Sequence, residues 1–129
     1  MIRVLIADDH PLARRGLYEV FEEEPDIAIE GEAENGRLML EKVRAEPWDV
    51  VIMDLSMPGL SGLDLLKQLK SEKPKLPVLV LTMHAEHRFA VRALKAGADG
   101  YITKGSEPED IVNAVRKLAA GGKYASTSL

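Results

Sequence analysis

The 129-residue chain alternates short runs of branched apolar residues with longer stretches whose apolar positions recur every three or four residues. The short runs are Ile2–Ala7, Ile27–Ala33, Val50–Met53, Val78–Leu81 and Gly100–Thr103. Within them Val4-Leu5-Ile6, Val50-Val51-Ile52 and Val78-Leu79-Val80-Leu81 are continuously apolar, the pattern of strands covered on both faces. The intervening stretches repeat at helical spacing: Leu12, Leu17, Val20 and Phe21, then Leu38, Leu40 and Val43, then Leu63, Leu65, Leu66 and Leu69. Phe89, Val91 and Leu94, and finally Ile111, Val112, Val115 and Leu118, complete the set.

The punctuation agrees with this division. Pro11 suits a first helical turn, where its missing N–H costs nothing. Ser61 and Ser106 each precede an acid by three residues, the spacing of a capping box. Pro25 and Pro47 follow helical stretches, and Gly121-Gly122 ends the last one. Five βα units joined by short loops predict an α/β fold with a doubly wound parallel sheet. Length and strand count favour the five-stranded flavodoxin-like order 2-1-3-4-5.

Chemistry concentrates where the strands end. The first strand runs into Asp8-Asp9, the third into Asp54, the fourth into Thr82 and the fifth into Lys104. In the order 2-1-3-4-5 the crevice between strands one and three lies at the reversal of strand order, outside the carboxyl ends, where ligands bind. Asp8, Asp9 and Asp54 are therefore expected to converge, with Thr82 and Lys104 beside them. Carboxylates so close repel unless a positive charge intervenes; an all-oxygen site suits a hard ion such as Mg²⁺, and Lys104 alone could also neutralise part of this charge. Such a site also suits a phosphoryl group, and a carboxylate can itself be the nucleophile.

Composition narrows the field. The absence of cysteine excludes a disulfide framework, a thiolate nucleophile and cysteine-ligated metal. A net charge of −4, with Arg14-Arg15, Arg37, Lys42, Lys70, Lys73, Lys75 and Lys117 interleaved among acids, speaks against this domain gripping DNA by itself. No apolar run reaches the length of a membrane span, and the start is no signal peptide, so a cytoplasmic location without membrane contact is expected.

Taken together, Asp8-Asp9, Met53-Asp54-Leu55-Ser56-Met57-Pro58-Gly59, Thr82 and Tyr101-Ile102-Thr103-Lys104 resemble the receiver domains of two-component response regulators over nearly the whole chain. Ala7-Asp8-Asp9-His10-Pro11, Leu81-Thr82-Met83-His84-Ala85 and Ala96-Gly97-Ala98-Asp99-Gly100-Tyr101 resemble the NarL/FixJ (LuxR-type) subfamily in particular. The resemblance implies that Asp54 is the phosphoacceptor. It implies that Asp9, Asp54 and the backbone carbonyl of Ser56 bind Mg²⁺ or Mn²⁺, Asp8 assisting through water. Lys104 would pair with phosphoryl oxygens, and Thr82 and Tyr101 would form a switch. The implied partners are a sensor histidine kinase, small acyl phosphates as alternative donors, and a second copy of the chain on phosphorylation. DNA would be reached only through a C-terminal helix-turn-helix domain outside this chain, for control of transcription. Residues 1–121 are expected to form the receiver domain and 122–129 the start of a linker. A domain that catalyses only its own phosphorylation and dephosphorylation is not an enzyme in the ordinary sense.

Individual residues admit plainer readings. Asp9 has the chemistry of an N-cap for the first helix, and Lys104 and Thr82 alone read as a solvated lysine and a strand-end residue. Tyr101 alternates with Ile102 and is expected partly exposed, as a cover for a helix–sheet edge or as the switch. His10, His84 and His87 lack zinc-like spacing and read as polar surface residues, the first two near enough to influence phosphoryl lifetime. Met83 is bulky enough to restrict access. Glu22-Glu23-Glu24 reads as a solvated helix end, and Trp48 as packing. Rival functions on the same architecture fit less well. A flavin carrier wants a Gly/Ser/Thr-rich loop after strand one, a haloacid-dehalogenase phosphatase wants Asp-x-Asp there, and a cobalamin module wants glycine where Ala13 stands. A receiver that is never phosphorylated remains the other alternative.

Overall fold

In the computed structural model, residues 1–57, 61–82, 87–103 and 105–125 are described, the side chains of 87–89 and 125 excepted. The strands are β1 (Ile2–Ala7), β2 (Ile27–Ala33), β3 (Val50–Met53), β4 (Val78–Thr82), β5 (Gly100–Thr103) and β6 (Tyr124–Ala125). The helices are α1 (Pro11–Phe21), α2 (Gly36–Ala45), α3 (Gly62–Glu72), α4 (His87–Lys95) and α5 (Pro108–Ala119). All pairings are parallel, and the sheet order is β2-β1-β3-β4-β5-β6. The expected order 2-1-3-4-5 is present. Two residues of the segment expected to begin a linker, Tyr124 and Ala125, extend the sheet beside Gly100 and Tyr101.

The two faces of the sheet explain the apolar periodicity. Leu5, Val51, Met53, Val78, Val80 and Tyr101 face a layer containing Met39, Leu65, Leu66, Leu69 and Ala93 from α2, α3 and α4. Val4, Ile6, Val50, Ile52, Leu79, Leu81 and Ile102 face Leu17, Phe21, Ile111, Val115 and Leu118 from α1 and α5. Strands β3 and β4 are buried at every position, which is why their sequences do not alternate, whereas β2 lies at the sheet edge and keeps Glu30 exposed. Each large side chain fully removed from water contributes roughly 1.5–3 kcal/mol before chain entropy is set against it.

The helix starts follow the sequence unevenly. Pro11 opens α1 and Ser61 caps α3, its Oγ accepting from Asp64 N at 3.2 Å. Asn35 caps α2, its side chain accepting from Leu38 N at 2.9 Å. The capping box expected at Ser106 does not form: Glu107 is the N-cap of α5 without a side-chain bond, and the Ser106 hydroxyl instead lies 3.2 Å from Thr103 Oγ1. Helix α5 ends as expected, with Gly121 at φ +93° and Gly122 N donating to Lys117 O at 2.9 Å. Glu24 is not merely solvated: it joins Asp26 in gripping Arg116 of α5, which ties the end of α1 to α5. Trp48 packs as expected, with Nε1 donating to Lys42 O at 3.0 Å and the Arg3 guanidinium 4.6 Å from its ring centre.

A second cluster sits at the amino ends of the strands. Asp99, 8% exposed, accepts from Val78 N at 2.9 Å and Lys70 Nζ at 2.8 Å, and pairs with Lys123. Lys70 also donates to Leu76 O at 2.8 Å, and the Asp99 carbonyl accepts from Tyr124 N at 3.1 Å. One carboxylate thereby joins α3, β4 and the segment entering β6. These cationic partners hold the Asp99 carboxyl below its ordinary range although burial acts the other way.

Candidate functional site

The main chain sets the acids side by side. Asp54 N donates to Ala7 O at 2.9 Å, and Asp8 N donates to Ala33 O at 3.0 Å, so the ends of β1, β2 and β3 are laced together. The loop after β3 returns on the carboxylate it follows: Ser56 donates to Asp54 Oδ1 from its N at 3.1 Å and its Oγ at 2.8 Å. Asp8 and Asp54 are 2% and 1% exposed, unusual burial for acids that are not used. The helix that follows crosses closely behind this loop. A Cβ on Gly62 would stand 2.2 Å from Leu55 O, so only glycine lets α3 begin there.

Asp9 is not the cap of α1. That position belongs to His10, whose side chain makes no capping bond. Asp8, Asp9, His10 and Asp54 instead form one cluster, offering ligand atoms that all lie within 4.8 Å of one another. His10 N donates to Asp8 Oδ1 at 2.8 Å, and His10 Nδ1 lies 3.1 Å from that oxygen, 3.1 Å from Asp9 Oδ1 and 3.8 Å from Asp54 Oδ2. Like charges 4 Å apart repel by about 4 kcal/mol at an effective dielectric of 20, so three ionised carboxylates here call for a cation. Asp9 Oδ1 is buried and receives no hydrogen bond from the described residues, although His10 Nδ1 passes close by. A buried carboxylate oxygen without a donor, in an oxygen-rich cluster, is the arrangement a divalent ion satisfies.

The remaining expected residues lie at neighbouring strand ends. Thr82 closes β4, opposite Thr103 in register, and is fully buried. Tyr101 pairs with Val80 and is also fully buried, so the expectation of partial exposure is wrong. It belongs to the layer of side chains that α4 covers through Ala90 and Ala93, which removes the ring from solvent. Lys104, Met83 and His84 lie outside the described residues. Sequence reading missed Arg14, counted there among scattered surface cations. Its Nη1 donates to Asp8 O at 2.5 Å and its Nε to Glu32 at 2.6 Å, bracing the loop that carries both acids. The signal available was its place one turn after His10, on the helix that the acid pair enters. A cleft lined by Trp48, Pro74, Leu76 and Pro77 lies at the opposite ends of the strands and holds no part of the acid cluster.

A doubly wound sheet with paired acids after β1, a lone buried acid after β3 and a threonine closing β4 defines a phosphoryl-signalling receiver. The chain belongs to that family: residues 4–116 match the response regulator receiver domain. It is 36% identical over 129 residues to the response regulator UvrY of Escherichia coli O6:H1, covering all of this chain and 59% of that protein. It thus spans about three fifths of the length of that relative. A LuxR-family response regulator from Aurantimonas superposes with a TM-score of 0.89 at 34% identity, over 95% of this chain and 87% of that one. The isolated receiver domain of RcsB from Salmonella enterica serovar Typhimurium, solved with the phosphomimetic BeF₃⁻, gives a TM-score of 0.90 at 31% identity, covering 98% and 94%. The chain is therefore a receiver of LuxR/NarL type, in a family where aspartate phosphorylation and Mg²⁺ at an acidic pocket are general. Among the described residues no helix is long and apolar enough to cross a membrane.

Proposed function

We propose that Asp54 is the phosphoacceptor of this receiver, that Asp8, Asp9 and Asp54 with the Ser56 carbonyl hold Mg²⁺ or Mn²⁺, and that Lys104, Thr82 and Tyr101 read the phosphorylated state. The observation that carries this reading is the burial of Asp54 against Asp8 with one oxygen fixed by Ser56. The P–O bond to the aspartate forms as the P–N bond of a phosphohistidine, or the P–O bond of an acyl phosphate, breaks. The leaving imidazole or carboxylate takes the electron pair. A bound divalent ion supplies charge neutralisation to the phosphoryl oxygens and the crowded carboxylates. Lys104, directly after β5, adds a second positive charge, and the Thr82 hydroxyl offers a hydrogen bond to the same group.

Thr82 and Tyr101 occupy adjacent strands on one sheet face, two register positions apart, so a displacement of Thr82 is felt by the packing of Tyr101. This is the two-state element a local change of charge would bias. The parent regulator would receive its phosphoryl group from a sensor histidine kinase in the cytoplasm. It would pair with a second copy on phosphorylation and act on DNA through a domain beyond this chain. Incubation with acetyl phosphate, followed by intact mass, tests the chemistry. One phosphoryl adduct that needs Mg²⁺, decays with time and is missing in Asp54→Asn is expected. An adduct that survives in Asp54→Asn would move the acceptor elsewhere. The absence of any adduct from folded protein would leave only an unphosphorylated interaction module.

A further inference from the structure

We infer that Arg14 is a positioning residue for the phosphorylation of Asp54: held at two points, it fixes the peptide between Asp8 and Asp9 and so the aim of the acid pair. The inference rests on the receiver reading above and adds to it a side chain that touches no reacting atom. Arg14 lies one turn into α1, its N donating to His10 O at 3.1 Å. Its side chain runs back past the start of the helix, and Nη1 donates to Asp8 O at 2.5 Å. That carbonyl belongs to the peptide joining the two acids, so its orientation sets where the chain carries both carboxylates.

The guanidinium is itself held. Its Nε donates to Glu32 Oε1 at 2.6 Å, and the Tyr18 hydroxyl donates to Glu32 Oε2 at 2.9 Å. Glu32 stands opposite Ile6 in the register of β1 and β2, next to the strand ends that deliver Asp8. The turn is thereby fixed from two sides: Asp8 N donates to Ala33 O, and Asp8 O accepts from Arg14. The Arg14 side chain is only 16% exposed, whereas its neighbour Arg15 is exposed. A rigid guanidinium fork can span the carbonyl and the carboxylate together, which the single nitrogen of a lysine cannot.

Charge and geometry predict opposite signs. Arg14 is a positive charge beside an acid cluster, so its removal, which also leaves Glu32 without this partner, would by charge alone strengthen cation binding. Loss of the positioning bond would instead weaken it, because side chains that orient a metal's ligands from outside typically matter about 10–100-fold.

The test measures Mg²⁺ binding by titration calorimetry and adduct formation with acetyl phosphate by intact mass. It uses the wild-type chain, Arg14→Ala, Arg14→Lys and Arg15→Ala, each checked for folding by circular dichroism. Arg15→Ala removes the same charge one residue along and controls for it. Mg²⁺ affinity is expected to fall about tenfold or more in both Arg14 variants, with slower adduct formation at subsaturating Mg²⁺. Arg15→Ala is expected to keep its affinity or gain slightly. Unchanged or tighter Mg²⁺ binding in Arg14→Ala, with only a lower melting temperature, would overturn the proposal and leave the acceptor site standing. Wild-type affinity in Arg14→Lys would overturn the two-point hold, since charge and one contact would then suffice. Should Arg14→Ala fail to fold, Arg14→Lys decides, because it keeps the charge and the aliphatic stem. A wild-type chain that forms no Mg²⁺-dependent adduct would bring down the receiver reading and this inference with it.

Discussion

Asp99→Asn tests how the end of the sheet remote from the acid cluster is held. The carboxylate accepts from Val78 N, Lys70 Nζ and Lys123 Nζ, and asparagine retains the shape and one acceptor while removing the charge. Hydrogen bonds to a charged group are worth about 1.5–3 kcal/mol against about 0.5–1.5 for neutral ones, so neutralising the Lys70 bond costs about 1 kcal/mol. Lys70 is only 14% exposed and keeps a single carbonyl partner, Leu76 O, which adds about another 1 kcal/mol for an under-satisfied ammonium. Lys123 is 72% exposed and adds little after solvent screening. The total, about 2 kcal/mol, lowers Tm by roughly 6–10 °C in a domain of this size.

Urea unfolding of the two proteins between pH 7 and pH 3 reads the difference. Because the folded-state carboxyl lies below its ordinary value of 3.8, its stabilisation is complete above the unfolded value. It is lost as pH falls through the lower folded value. The gap between wild type and Asp99→Asn should therefore be constant from pH 7 to about pH 5 and narrow below that. A gap under about 0.5 kcal/mol at pH 7, or one that stays the same down to pH 3, would refute the reasoning.

Two further substitutions probe the site from opposite directions. Gly62→Ala places a methyl 2.2 Å from Leu55 O, so the start of α3 or the Asp54 loop must shift. A loss of about 1–3 kcal/mol in chemical denaturation is expected, together with slower phosphorylation by acetyl phosphate. Asp9→Asn, measured in EDTA, should raise stability by about 1 kcal/mol because it removes one of three crowded charges. It should also abolish the gain of about 1.4 kcal/mol that the wild type draws from Mg²⁺ at ten times its Kd, both read by thermal melts.

Much of this molecule was legible in its sequence because two periodicities report burial directly. Strands β3 and β4 read as unbroken apolar runs since both faces are covered, and the five helices show their inward stripes. The acid pair and Asp54 could be placed together because strand order fixes which loops meet at the reversal. Tyr101 was misread because alternation tells that it faces away from Ile102 and not whether a helix covers that face. The Ser106 cap failed for a similar reason: a neighbouring hydroxyl, Thr103, competes for it, and spacing within one segment carries no information about that neighbour. His10 was placed near the site but read as a surface residue, whereas Arg14 was hidden, since an arginine near a helix start reads as an ordinary surface cation until its bond to the Asp8 carbonyl is seen.

The short sixth strand gives the outgoing chain a direction. It runs parallel to β5 with Ala125 opposite Tyr101, so the backbone at Ala125 is heading back toward the edge that bears Asp54 and Thr82. Tyr101 thus has two duties, filling the layer under α4 with its ring and pairing with Ala125 through its main chain. A displacement of β5 would be passed to β6 through the main-chain pairing of Gly100 with Tyr124 and Tyr101 with Ala125, with no side chain needed to carry it.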